Sequence, residues 1–154
     1  MVLTDIAALT EALVRRGLPA RVVADRVEVA VNLRGAPHRL LLLWDDGAPL
    51  VHIVVPLDVA PGPGGHAAMA RAVAWANHGL RLPGLGYDEA QGLVYFRWVA
   101  PRAEAGLVDG ELDRGLITAL ETAADLLGPL REVSAGALPP DGVLDRAAAL
   151  RVEA

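Results

Sequence analysis

Residues 27–57 read VEVAVNLRGAPHRLLLLWDDGAPLVHIVVPL, and apolar side chains recur along this stretch with the period of two that β-strands have. The strongest runs cover residues 27–33, 38–44 and 50–57. The connections between these runs are the turn sequences Arg34-Gly35-Ala36-Pro37 and Asp45-Asp46-Gly47. Because connections this short join antiparallel neighbours, the stretch predicts a three-stranded antiparallel meander.

Helical periods lie on both sides of the meander. Residues 4–16 place their apolar side chains on one face, with Thr4 as the predicted N-cap and Gly17 as the stop. A second helix is predicted over residues 66–78, and Trp75 lies to one side of its apolar stripe.

A hairpin and a long helix follow. The hairpin joins residues 82–88 to residues 93–100, and leucines at helical spacing run from Leu112 to Leu130. Pro129 is expected to bend or end this last helix, because proline lacks the amide hydrogen that a helix uses.

The predicted order of elements is α-β-β-β-α-β-β-α, followed by a tail. Helices that interrupt an antiparallel sheet predict an α+β fold in which the helices pack on that sheet. We expect one domain over residues 1–132 and a C-terminal tail over residues 133–154, with a short helix at 141–150.

The composition narrows the function classes. The chain has 154 residues, 53% of them hydrophobic, with a formal net charge of −5 and no cysteine. The missing cysteine excludes disulfides, thiol nucleophiles and thiolate metal sites. A net-negative chain whose basic residues are all arginine, spread evenly, is a poor candidate for direct nucleic-acid binding. We also expect no membrane span and no secretory signal, which predicts a cytoplasmic protein.

No set of side chains has the pattern of a catalytic or metal site. The only serine, Ser134, lacks the flanking glycines of a hydrolase nucleophile. The carboxylate clusters at 45–46 and 109–113 suit a tight turn and a helix N-terminus. No ligand spacing relates the four histidines, which are His38, His52, His66 and His78. We therefore predict no catalytic residue, no metal and no cofactor, and a protein that is not an enzyme.

The loop Gly62-Pro63-Gly64-Gly65 follows a strand and opens a helix, a context in which backbone amides can hold phosphate. It matches neither common phosphate-binding motif, so a flexible connector is the simpler interpretation. A small-molecule or nucleotide sensor that uses Gly62 to Gly65 stays open as an alternative function.

The most informative feature is a surplus of apolar residues in the second and third predicted strands. Leu41, Leu43, Leu50 and Val54 lie on the face opposite to the main apolar one. That second face needs cover from the C-terminal tail, from a second copy of the protein or from a client segment. We predict a protein interface at these four residues, and a register slip of one residue would exchange the two faces.

The last strand adds two candidates to this interface. Tyr95 and Arg97 share its less apolar face, with Tyr87 close by in the hairpin. Such a surface would suit a peptide or stacked bases, so single-strand nucleic-acid binding is a third hypothesis. The simpler interpretation is that Tyr95 covers backbone left bare by Gly84 or Gly86 across the hairpin.

Residues 74–88 read AWANHGLRLPGLGYD, residues 92–98 read GLVYFRW, and residues 123–130 read AADLLGPL. With the order of elements, these stretches resemble the YbjN family of bacterial proteins, which are labelled sensory transduction regulators. The first two look like the family's helix ending in Asn, its Leu-Pro link and its aromatic hairpin, and the third looks like its closing helix. The resemblance covers about residues 4–132.

The resemblance implies a fold similar to that of type III secretion chaperones. It also implies a non-enzymatic protein that homodimerises and acts in bacterial stress responses, with a DNA-repair protein as one partner and any nucleic-acid contact indirect. The family has no established catalytic residues to carry over. Our leading hypothesis is therefore a cytoplasmic, chaperone-like adaptor or regulator that binds a partner protein and no membrane.

Overall fold

The structure, a computed structural model, describes residues 1–153. The helices are α1 Ile6–Arg15, α2 His66–Gly79, α3 Asp109–Ser134 and α4 Val143–Glu153, with a 3-10 turn at Pro140–Gly142 before α4. The strands are β1 Val2–Leu3, β2 Ala20–Val23, β3 Arg26–Leu33, β4 Ala36–Asp45, β5 Leu50–Leu57, β6 Leu85–Asp88, β7 Leu93–Pro101 and β8 Leu107–Val108.

The main sheet has six strands in the order β2-β3-β4-β5-β7-β6. The predicted meander forms its centre, because β3 pairs with β4 and β4 with β5, both antiparallel. In a separate antiparallel pair, β1 lies beside β8. The antiparallel sheet with helices packed on it confirms the predicted α+β class.

The chain divides into two compact units. The first unit comprises Met1–Val55 and Arg97–Leu120, and the second comprises residues 56–96 and 121–153. Each unit has buried apolar side chains of its own.

The core of the first unit forms because the alternation along β3, β4 and β5 sends one set of side chains to the same side. Val29 stands opposite Leu40, and Leu42 opposite Ile53, and all four are fully buried or nearly so. Helices α1 and α3 contribute further buried residues from their apolar stripes, which are Leu9, Ala12, Leu13, Leu112, Leu116 and Ala119.

The second unit is organised around α2 and the hairpin of β6 and β7. The Asn77 side chain accepts hydrogen bonds from the backbone amides of Gly84 and Leu85, at 3.1 and 3.0 Å, and donates one to the Leu85 carbonyl at 2.8 Å. These three bonds fix the start of β6 to the end of α2. The buried side chains here include Met69, Val73, Ala76, Leu85, Phe96, Leu126 and Leu130.

The tail packs within the second unit. Helix α4 contacts α2, where Leu144 lies against Gly79. Arg146 forms an ion pair with Glu132 at 3.2 Å, and Arg151 forms one with Asp125, so both tie α4 to α3. The short helix expected at 141–150 is present as α4.

Several predicted boundaries were wrong. Asp5, not Thr4, is the N-cap of α1, because its carboxylate accepts a hydrogen bond from the Ala8 amide at 2.8 Å. The first hairpin strand begins at Leu85 rather than at residue 82, since Asn77 holds the preceding link. The short strands β1, β2 and β8 were not predicted, because two to four residues are too few to show a period.

Helix α3 also continues through Pro129 to Ser134, where we expected it to bend or end. The segment beyond the proline is anchored from outside the helix. Arg131 donates a hydrogen bond to the Asp58 carbonyl at 3.1 Å, and the Ser134 hydroxyl donates one to the Ala60 carbonyl at 2.9 Å. These bonds and the burial of Leu130 outweigh the amide that Pro129 lacks.

Replacing Gly115 with alanine is expected to lower the free energy of unfolding by about 1–3 kcal/mol, the usual cost of overpacking. A Cβ at this position of α3 would lie 2.6 Å from the Trp98 ring and 2.7 Å from Ile53 Cδ1. Gly110 in the same helix is the matched control, because a Cβ there meets nothing within 4 Å. Urea unfolding of both variants checks this, and equal stability of G115A and G110A would contradict the close packing.

Candidate functional site

The predicted interface lies on the face of the first unit's strands that the helix does not cover. Gly115 of α3 lies against Ile53 and Trp98, which marks the helix-covered face of β5 and β7. Alternation along the strands places the predicted interface residues on the other side. Leu41 pairs with Val54 across β4 and β5, with Leu43 and Leu50 nearby on the same face. We call this group, Leu41, Leu43, Leu50 and Val54, the open sheet face.

The four side chains of the open sheet face are only partly buried. The tail was one predicted cover for them, but the contacts described for α4 lie on α2 and α3. Val143 and Ala147 of the tail are buried there. The surplus apolar residues noted in the sequence therefore keep contact with solvent in this chain.

A buried carboxylate borders the open sheet face. Glu28 stands opposite Leu41 in the strand register and is only 7% exposed. Arg26 and Arg21 lie 3.2 and 3.3 Å from its carboxylate oxygens. Desolvation raises the pKa of Glu28, but the hydrogen bonds and charges of the two arginines outweigh it, and the pKa lies below its ordinary value. The three side chains therefore form a compact charged cluster beside the leucines.

Two other arginines share this side of the strands. Arg39 lies two residues before Leu41 on β4, and Arg97 precedes Trp98 on β7, whose ring lies against the helix. Both are exposed, and neither takes part in an ion pair described for residues 1–153. This side of the strands thus combines the apolar side chains of the open sheet face with two arginines outside the described ion pairs.

The predicted tyrosines do not come together. The Tyr95 ring lies directly over Gly86, where a Cβ would overlap it, which confirms the interpretation that Tyr95 covers bare backbone. Tyr87 pairs with Val94 and therefore lies on the opposite face of the hairpin from Tyr95. Its hydroxyl is hydrogen-bonded to His66, and desolvation, then the charge of Glu89, raises the pKa of Tyr87. A stacking surface made of Tyr87 and Tyr95 together is ruled out by this arrangement.

The glycine-rich loop has a structural reason for its composition. Gly64 adopts a positive φ of 81°, and the Gly65 amide donates to the Gly62 carbonyl at 2.9 Å. Gly65 is the N-cap of α2, and glycine has no side chain with which to form a capping hydrogen bond.

Within residues 1–153 no group of three or more histidine or acidic side chains is placed to hold a metal ion. None of the helices described there is long and apolar enough to cross a bilayer.

A second surface, in the other unit, was missed by the sequence reasoning. Trp75 on α2 is 54% exposed and borders a cleft of about 210 Å³ between α2 and the tail. The tail contributes Pro140, Asp141 and Leu144 to the walls. The sequence did carry one signal, because Trp75 lies off the apolar stripe of its helix, but the cleft exists only where the tail folds back. We call it the Trp75 cleft.

The sequence of the chain matches a known protein family over most of its length. The sequence model of the YbjN family, described as "Putative bacterial sensory transduction regulator", matches residues 5–132. A search of curated proteins finds no significant match.

A solved structure also matches. A chain in the structure of the HopA1-SchA chaperone-effector complex superposes with a TM-score of 0.50 at 22% identity, over 80% of this chain and 90% of that one. A likeness at this identity shows the fold, and it confirms the chaperone-like architecture expected from the sequence.

Acid is expected to remove the stabilising contribution of Glu28. Because its folded-state pKa lies below the ordinary 4.5, the contribution is complete above that value and is lost as the pH falls through the folded-state pKa. Thermal unfolding between about pH 7 and about pH 3 should show the advantage of the wild type over Glu28→Gln shrink in that acidic range. The exposed Glu104→Gln change is the control, with little effect throughout. A wild-type advantage that does not change with pH would contradict the assignment.

Proposed function

The chain belongs to the YbjN family, and we propose on that premise that it is a non-enzymatic, chaperone-like adaptor that homodimerises and binds a partner protein. The fold it shares with a chain of a chaperone-effector complex supports this class of function. The adaptor acts in the bacterial cytoplasm.

The open sheet face is the observation that carries the proposal. Leucine and valine side chains left partly in water on a strand face gain free energy when a partner covers them, by roughly 25 cal/mol for each Å² of apolar surface removed from water. Leu41 and Val54 are direct neighbours across two strands, so one partner segment can cover both. A helix-free strand face of this kind is where a second copy or a client would bind.

The charges around this face indicate the chemistry of the client. The chain as a whole is acidic, with a net charge of −5, yet Arg39 and Arg97 are exposed beside the open sheet face without an ion pair within the described residues. A partner segment that combines apolar and acidic side chains would satisfy both features. Such a segment would bind faster at low salt, because exposed charges steer association.

The pathway is the part of the proposal that rests on the family resemblance alone. We place the adaptor in a bacterial stress response, and a DNA-repair protein is the first partner to test. Any link to nucleic acid would then run through that partner, which agrees with the net negative charge of the chain.

Light scattering of the purified protein should give twice the chain mass of 16.1 kDa. Replacing Leu41 and Val54 together with serine removes apolar contact from the centre of the open sheet face. If this face forms the dimer, the mass of the variant should fall to that of one chain. Circular dichroism verifies that the variant keeps its fold. A wild-type mass of one chain across the accessible concentrations would contradict homodimerisation.

Arg39→Glu should lose the partner that the wild type retains from a lysate of the source bacterium under stress, by at least about tenfold in recovered amount. Arg81→Glu is the matched control, because Arg81 is also exposed and outside the described ion pairs. Quantitative mass spectrometry of affinity captures compares the two variants. Equal recovery of every bound protein by R39E and R81E would contradict an acidic client on this face.

A further inference from the structure

Trp75 is the largest exposed apolar side chain that the proposed function does not use. Helix α2 buries Met69, Ala72, Val73 and Ala76 on one face, while the Trp75 indole projects away from them and is 54% exposed. His78 meets its ring edge-on, with the ring centroids 6.4 Å apart. A tryptophan that is more than half exposed is a common anchor for binding.

The Trp75 cleft has apolar walls and an acidic rim. Pro140 and Leu144 lie on the tail side, and Asp141 and Asp145 border the same cleft. The matched family region ends at residue 132, so the tail side of the cleft lies outside it.

Both carboxylates at the rim are exposed and have no ion pair among the described residues. Asp141 lies in the 3-10 turn and Asp145 in the first turn of α4. The positive end of a helix dipole favours a carboxylate at such positions. That accounts for their presence but leaves their charges without a side-chain partner. Arg71, one turn before Trp75, lines an adjoining pocket together with Trp75, Pro140 and Asp141, and likewise has no described ion pair.

The first unit contains the same combination of groups with its cation in place. There the Arg102 guanidinium lies over the Trp44 ring, 4.8 Å from its centroid. The same guanidinium donates to the Asp45 carbonyl at 2.8 Å and lies 3.7 Å from the Asp46 carboxylate. Within this protein an arginine therefore binds at a place where a tryptophan ring lies beside an aspartate. The Trp75 cleft has the tryptophan and the aspartates, but among the described residues no arginine lies over the ring.

We propose that the Trp75 cleft binds an arginine side chain of a partner protein. The planar guanidinium stacks on the Trp75 indole, and Asp141 and Asp145 accept its hydrogen bonds. Arginine is preferred to lysine, because its flat and weakly hydrated head group stacks on a ring while donating in its own plane. This site does not depend on the open sheet face, so either proposal can fail without the other.

The probe is a short blocked peptide, acetyl-Gly-Arg-Gly-amide, added to the intact protein labelled with nitrogen-15. Of the three tryptophans, Trp75 is identified by the indole N–H signal that Trp75→Ala removes. We expect this signal to shift in a saturable way with the arginine peptide. The matched peptide with uncharged citrulline should produce no saturable shift, and the lysine peptide should bind at least about threefold more weakly.

Variants assign the contacts. The double change Asp141→Asn with Asp145→Asn should weaken the arginine peptide roughly tenfold, while Asp25→Asn with Glu104→Gln alters the net charge equally and should leave binding unchanged. Trp75→Ala should abolish saturable shifts of neighbouring amides, whereas Leu82→Ala, at an apolar residue of the same 54% exposure, should not. Melting temperatures verify that each variant is folded.

Three outcomes would overturn the proposal. Equal binding of the citrulline and arginine peptides would show that the cleft accepts polar groups without regard to charge. A Trp75 shift produced by raising the protein concentration alone would make a second copy of this chain the occupant. Binding of a carboxylate peptide that is lost in Arg71→Gln would show an anion site beside Arg71 instead.

Discussion

The alternation of side chains along β4 and β5 is the constraint on which the rest of the structure depends. Both strands are apolar on both faces, and a helix layer can cover only one of them. Leu42 and Ile53 face the helices and form the centre of the first unit's core, while Leu41 and Val54, the residues next to them on each strand, point the other way. The same alternation that builds the core therefore produces the half-exposed face on which the proposed function rests.

The parts of the fold that could be predicted are those in which a period extends over many residues. The meander from Val27 to Leu57 and the helix before it have such periods, and so does α2. The wrong boundaries lie where neighbouring residues could play the same part. Thr4 and Asp5 are adjacent and both suit an N-cap, and only the structure shows that the Asp5 carboxylate reaches the Ala8 amide. Pro129 is a helix breaker by its own chemistry, and contacts distant in sequence keep the helix intact around it.

The candidate sites, too, could be predicted only where their signal is local in the sequence. The open sheet face could be predicted from a surplus of apolar residues, because strand parity is a local property. Strand parity also indicated Arg97, whereas Arg39 was not singled out. Whether either arginine is paired could not be predicted, since a charged residue looks the same in sequence in both cases. For the Trp75 cleft the sequence showed only that Trp75 lies off the apolar stripe of α2. The cleft itself could not be predicted, because Trp75 and Asp141 are far apart in the chain and meet only after the tail packs on α2.

The Asn77 side chain has a consequence for how copies of the chain can meet. Strand β6 is an edge of the main sheet, and the edge-facing amide and carbonyl of Leu85 are the groups that a strand from another molecule would pair with. Asn77 already occupies both of them. One amide side chain thus imitates a neighbouring strand for one residue and blocks the start of β6 against continuous edge-to-edge polymerisation. A strand from a second copy would therefore have to displace the Asn77 side chain before it could pair with the start of β6.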